Sequence, residues 1–397
     1  GGEVSLTNVI VSGGTVSGDI YGGGNQANGS VSNVSINGGT VTTVFGGGNN
    51  AGLTTSNVNV TAGTVSDVYG GSNNTGTVTT TNVVVDTTGT INNIYGGGNQ
   101  AQVGATNVTF DDGTVGNIYG GGNLAQVTGN TIVDINGGTV SASVYGGGNF
   151  GVVQGNSTVT ITDATILGNA YAGGNGSTAT LQGNANITID GDTVIGTASS
   201  VTPTSGCVFG GGNQAVTGTQ ANNNSTSSVN IVGGTIYGNV YGGAKFSVIY
   251  GNTIVNIGQT AYTSSNLDKT DIYIKGNIFG GGEANASGSE IYDWSFISVT
   301  EGVNITIDAD KLNESRKISK DISSDTTFFL HYQCADLYIQ IPMIAAQSGD
   351  GVYHGHLWGD STRIICLKDF ASGKYLLRTQ VRELPQNVQA CKILFRH

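Results

Sequence analysis

Hydrophobic positions in this chain come in short alternating bursts, each followed by a glycine-rich turn. In the third such unit Asn57-Val58-Asn59-Val60 alternates, Ala62-Gly63 turns, Thr64-Val65 gives a second short strand, and Val68-Tyr69 runs into Gly70-Gly71. Side chains alternate across a strand, so Val58 and Val60 face one side. The same slot holds Val34/Ile36, Val83/Val85, Val108/Phe110, Val133/Ile135, Val159/Ile161, Ile187/Ile189 and Val229/Ile231. Branched residues dominate it, as suits a pleated and closely stacked surface. An aromatic residue closes the unit at Tyr21, Phe45, Tyr69, Tyr95, Tyr119, Tyr145, Tyr171, Phe209, Tyr241 and Phe279. Four of these read Y-G-G-G-N and two F-G-G-G-N, and the first seven follow one another at intervals of 24 or 26 residues. A fixed period in that range marks a solenoid.

A second turn precedes the aromatic, as Gly18-Asp19, Gly116-Asn117, Gly168-Asn169, Gly238-Asn239 and Gly276-Asn277. Glycine followed by Asn or Asp is expected to supply the positive φ of a tight turn. Three bends per unit make each coil a flattened triangle, stacked on the next as parallel strands about 4.8 Å apart. The predicted fold is therefore all-β: a parallel β-helix of about eleven coils of 24–26 residues over residues 1–300, with aliphatic ladders inside and stacked aromatics and asparagines along it. Toward its end the intervals lengthen to 38, 32 and 38 residues. The additions include Thr202-Pro203-Thr204-Ser205-Gly206, Asn222-Asn223-Asn224-Ser225 and Tyr262-Thr263-Ser264-Ser265-Asn266, which are expected to leave the coil as surface loops.

Composition fits this picture. The chain has 397 residues with 67 Gly, only three Pro and 37% hydrophobic residues, so glycine here belongs to turns between strands rather than to a disordered linker. Residues 1–300 carry three Lys, no Arg and fifteen Asp or Glu, a net charge of −12, whereas the remainder carries eleven of each sign. An acidic rod repels phosphate backbones, which argues against nucleic acid as a partner. No run of about 18 apolar residues predicts a membrane-inserting helix. The chain opens Gly1-Gly2-Glu3 without an initiator Met or signal peptide and reads as a processed or partial chain.

All four His, both Trp, the single Met and three of the four Cys (Cys334, Cys366, Cys391) lie after residue 290. A charged segment over 301–322, with Asp310 placed to cap a short helix from Lys311, is read as a linker. Strand-like runs then follow at Thr326–Gln333, Leu337–Ile344, Gly351–Trp358, Arg363–Leu367, Tyr375–Val381 and Ala390–Phe395. They predict a small antiparallel β-sandwich or barrel-like C-terminal domain over 323–397.

Candidate chemistry is sparse. The G-G-G-N turn lacks the acidic residue of calcium-binding nonapeptides, since Asn25-Gln26-Ala27 follows Gly22-Gly23-Gly24; its Asn is expected to bond its own backbone or the identical Asn one coil away. Asp190/Asp192 and Asp308/Asp310 are each two residues apart, which on a strand would put both carboxylates on one face, as glycoside hydrolysis can use. Asp190 and Asp192 are thus the catalytic candidates of a minority, enzymatic reading. His354 and His356, joined by His331 and Cys334, have a spacing compatible with zinc but far weaker than paired C-x-x-C motifs, so neither metal nor cofactor is expected. Tyr353, His354, His356, Trp358 and Arg363 combine stacking faces with hydrogen-bond donors inside eleven residues, and form the candidate ligand-binding group. Cys207 is placed in a solenoid loop, and the cysteines are read as reduced.

The stacked N-V-x-V, G-G-T-V and Y-G-G-G-N elements over residues 5–285 resemble the parallel β-helices of phage tailspikes or tail fibres and of bacterial surface adhesins. The resemblance covers the solenoid and leaves the C-terminal domain unmatched. It implies a cell-surface glycan or protein receptor as partner, homotrimers in many cases, and an extracellular or virion-surface location. A non-catalytic binding or structural protein is the favoured reading, with a bacterial adhesin and a polysaccharide lyase or hydrolase as alternatives.

Overall fold

The structure is a computed structural model that describes residues 4–198, 205–221, 224–258 and 272–283, and the strand backbones of 295–300, 305–307, 328–333, 352–357, 362–369, 374–381 and 393–395. The chain winds as a parallel β-solenoid of about ten turns, with no helix among the described residues. The first five coils are near-continuous strands, Val4–Tyr21, Gly29–Phe45, Leu53–Tyr69, Val78–Tyr95 and Val103–Tyr119. Register shifts mark their corners, as between Val60 and Val65. From the sixth coil the three expected pieces separate, into Thr131–Ile135, Thr139–Val140 and Val144–Tyr145.

Parallel pairing puts like on like. Val34 lies over Val58, Val58 over Val83, Val83 over Val108 and Val108 over Val133, so alternation within one coil becomes a column through the rod. Further inward columns run through Val41, Val65, Ile91 and Val115, and through Val44, Val68, Ile94 and Ile118; all are buried in one aliphatic core. Each such side chain stabilises the fold by about 1.5–3 kcal/mol relative to exposure. A further inward column has no alternating pattern behind it. Leu53, Val78, Val103, Val127, Val153, Leu181, Thr217 and Ile249 pair successively, mostly as isolated bridges after the glycine turn.

The glycines do two different jobs. At the first corner Gly39, Gly63 and Gly113 have φ of +89°, +98° and +116°, and Asp163 at +55° is the one non-glycine residue among those described with positive φ. The second-corner glycines, expected to serve the same purpose, do not: Gly18, Gly116, Gly168, Gly238 and Gly276 are absent from the positive-φ set. For the last four the need is proximity, since a Cβ on Gly116 would meet the Asn92 carbonyl of the coil below, whereas a Cβ on Gly18 in the first coil would meet nothing within 4 Å. The G-G-G-N turns likewise stack backbone on backbone. Gly46 N donates to Tyr69 O at 2.8 Å and Gly47 N to Gly71 O at 3.1 Å, and a Cβ on Gly121 would lie 2.7 Å from Gly148 N.

Parallel pairing reaches past residue 300. Strand 295–300 lies on Gly251–Ile257, strand 305–307 on Ile272–Ile274, and strand 328–333 on 295–300, so this last strand is parallel rather than antiparallel as its sequence suggested. Strands 352–357, 362–369, 374–381 and 393–395 pair antiparallel in that order. The expected helix at Lys311, most of the 301–322 linker, and the inserted segments 199–204, 222–223 and 259–271 lie outside the described residues.

Candidate functional site

The repeat seam around G-G-G-N carries most of the polar side chains that the sequence singles out. Asn49 Nδ2 donates to Asn25 Oδ1 at 2.8 Å, and the pattern continues through Asn73, Asn99, Asn123, Asn149, Asn175 and Asn213 at 2.8–3.3 Å. The turn asparagine therefore bonds its equivalent one coil away. A second outer column joins Asn8, Asn33, Asn57, Asn82 and Asn107 at 2.8–2.9 Å. An amide suits such a column because it donates and accepts at once, so a single residue type can extend it indefinitely.

Against this seam the ten aromatic rings form one stack from Tyr21 to Phe279. Neighbouring centroids are 4.5–5.1 Å apart and interplanar angles are 1–13°. All are buried except the partly exposed Tyr21, in a cluster separate from the aliphatic core. Burial pushes the Tyr69 phenol up to about 12, and desolvation raises those of Tyr95, Tyr119, Tyr171 and Tyr241 in the same direction. These hydroxyls are neutral packing elements, with Asn169 and Asn239 donating to Tyr171 and Tyr241 at 3.1 and 2.8 Å.

A third device was not anticipated. In most coils the residue two places before the first inward aliphatic is a buried Ser or Thr that donates across the coil to the carbonyl after the aromatic: Ser56 to Gly70, Thr81 to Gly96, Thr106 to Gly120 and Thr131 to Gly146, each at 2.6 Å. Its signal was present in the repeated S-N-V and T-N-V triplets. Cys207 also departs from its expected loop position. It is buried in the second-corner column, where its N–H donates to Asn169 Oδ1 at 2.9 Å and its Sγ accepts from Asn239 N at 3.3 Å. Burial pushes the thiol up to about 12, which suppresses the reactive thiolate.

The predicted aspartates do not share a strand. Strand Ala185–Asp190 ends at Asp190, and Gly191 at φ +61° turns the chain before Asp192. Asp190 Oδ1 accepts from Gly191 N at 2.8 Å, and Asp192 N donates to Asp163 Oδ1 at 2.7 Å. Alternation therefore does not set the two carboxylates on one face. Among the described residues no group of three or more His, Cys, Asp or Glu is placed to hold a metal ion.

In the C-terminal sheet Tyr353, His354 and His356 lie on strand 352–357, and Arg363 stands opposite His356 in register, with Cys366 opposite Tyr353. His331 lies on strand 328–333, while Trp358 and Cys334 fall outside the described residues, as do Asp308 and Asp310. The backbone thus brings four of the five ligand candidates onto two adjoining strands.

One outer face changes character along the rod. Its first column carries Thr15, Thr40, Thr64, Thr90, Thr114, Thr139 and Thr165, then Val194, Thr235 and Tyr273. The column beside it carries Ser17, Thr42, Ser66, Asn92, Gly116 and Ser141, then Leu167, Gly196, Tyr237 and Lys275. Tyr237 and Tyr273 meet edge to face at 6.4 Å and 74°. Lys275 Nζ lies 5.8 Å from the Tyr237 ring centroid and donates to Ala198 O at 3.3 Å.

Fold and seam define the class as a parallel β-solenoid repeat protein. In comparison with known proteins, the chain matches no family model, no curated protein and no solved structure.

Proposed function

We propose that this protein is a rigid, non-catalytic display rod that binds a glycan or protein receptor on a cell surface, in the manner of a phage tail fibre or tailspike, outside the cell or on a virion. The observation that carries the reading is the way the rod spends its hydrogen-bonding side chains. Its asparagine columns and hydroxyl staples are committed to the neighbouring coil or the same coil, so they supply stiffness rather than reactivity. Chemical variety lies elsewhere, on the outer face of the last coils and on the C-terminal strands bearing His354, His356 and Arg363. Solenoids bind through surfaces of this kind, laid over an invariant core.

The test is to incubate the full chain with bacterial cells and with a panel of purified surface polysaccharides. Binding without depolymerisation is expected, weakened by His356→Ala and Arg363→Ala. Turnover of a polysaccharide that disappears in Asp190→Asn or Asp192→Asn would replace this reading with that of a glycan-degrading enzyme.

A further inference from the structure

We propose that the outer face formed by Tyr237, Tyr273 and Lys275 is a binding site for a neutral saccharide, on the rod and separate from the C-terminal strands. The inference rests on the receptor-binding reading and names a second place and a ligand class for it. It begins from a break in the repeat. Seven coils in succession keep a small hydroxyl residue in the first outer column, at Thr15 through Thr165, and the tenth replaces it with Tyr273. In the second outer column Leu167, Tyr237 and Lys275 follow inward residues Ile166, Ile236 and Ile274 that keep the repeat. Inside, Ile236 and Ile274 continue the aliphatic ladder and Ile272 adds to it over Gly234; outside, two aromatic rings and a cation have been added.

Packing does not require them. Tyr273 is 37% exposed, and it meets Tyr237 edge to face, which holds both rings in one orientation. Neither phenol hydroxyl has a hydrogen-bond partner among the described residues, in contrast to Tyr171 and Tyr241, whose hydroxyls accept from Asn169 and Asn239. Lys275 is tethered by the Ala198 carbonyl and the Tyr237 ring. An ammonium has three N–H donors, and the bond to the Ala198 carbonyl leaves others for a ligand.

Charge then selects among ligands. Fifteen acids against three lysines over residues 1–300 repel a polyanion along the whole rod, while Lys275 beside the rings opposes an ammonium or another cation. Two rings and one cation are too few for a stable protein interface, which needs about 20–30 residues a side. An uncharged sugar meets the remaining requirements: its C–H face stacks on an exposed ring, and its hydroxyls both accept from an ammonium and exchange hydrogen bonds with phenols.

The test uses the full chain and titrates maltohexaose, cellohexaose and a mannan hexasaccharide, with oligogalacturonate as the charged control, followed by calorimetry and by the tyrosine signals in NMR spectra. Tyr273→Thr and Lys275→Ser restore residue types that earlier coils carry in these columns, so the coil is retained, and an unchanged melting temperature verifies it. Binding of at least one neutral hexasaccharide is expected, weakened about tenfold by Tyr273→Thr, weakened also by Lys275→Ser, and unchanged by His356→Ala. Binding that survives Tyr273→Thr and Lys275→Ser but is lost in His356→Ala overturns this site while leaving the receptor-binding reading in place. Preference for oligogalacturonate overturns the ligand class, and absence of binding to all three neutral oligomers overturns the inference. The receptor-binding reading falls separately, when the full chain also fails to bind cells and polysaccharides.

Discussion

Thr217 shows how far a single residue can depart from its column. It sits between Leu181 and Ile249, fully buried, and its hydroxyl has no hydrogen-bond partner among the described residues. An unpaired buried hydroxyl costs about 1–3 kcal/mol, and valine has nearly the same shape without that group. Thr217→Val is therefore expected to raise stability by about 1 kcal/mol, read as a higher denaturant midpoint at an unchanged slope. A lower midpoint would show that the hydroxyl is hydrated in solution. The neighbouring case of Thr106 is opposite in sign, because its hydroxyl serves the Gly120 carbonyl. The same residue type is thus a liability in one column and a staple in another.

At the scale of the element, the aromatic stack behaves as one long structure built from single rings. Tyr119 lies between Tyr95 and Tyr145, at 4.9 Å from each and within 5° of both planes. Tyr119→Ala removes two stacking contacts and leaves a void between coils that are held by their own backbone bonds. The surroundings cannot collapse to fill it, so a loss of about 3 kcal/mol is expected, with a melting temperature lowered to match. An unchanged melting temperature would contradict a buried stack. The asparagine columns are elements in the same sense. They owe their directional bonding to the parallel register that puts Asn57 over Asn33 and under Asn82.

For the whole molecule, about ten coils at a spacing of about 4.8 Å give a solenoid about 50 Å long, and its buried phenols act together when pH rises. Unfolded tyrosines lose their protons near pH 10, whereas Tyr69 in the fold holds its proton to about 12 and its buried neighbours are shifted the same way. Between these values the unfolded state binds fewer protons than the folded one, so stability falls as pH rises. The contribution is fully present below pH about 10 and is lost on the way to about 12. Melting temperature should accordingly decline through this window, with the phenolate of the stacked tyrosines, followed ring by ring in NMR spectra, appearing together with unfolding. Phenolate at Tyr69 or Tyr119 at pH about 10 in a chain still folded would show the stack to be open to water.

Much of this architecture was legible in the chain because a repeat writes the same physical requirement many times. Val58 and Val60 predicted an inward face, Tyr69 and its equivalents a stack, and Asn73 a bond to its counterpart, since any property of one coil is imposed on its neighbours by parallel pairing. What the sequence could not decide is what depends on distance between coils. The second-corner glycines looked like turns in need of positive φ, yet Gly116 is required by a carbonyl of the adjacent coil. The column through Val127 and Val153 has one residue per coil and therefore no alternation to read. Asp190 and Asp192 looked like a strand pair until Gly191 turned the chain between them. Tyr237, Tyr273 and Lys275 were unremarkable in sequence, because Tyr237 precedes the other two by 36 and 38 residues and only stacking of the coils makes them neighbours. Periodicity along the chain settled the coil, and contact across coils settled its surface.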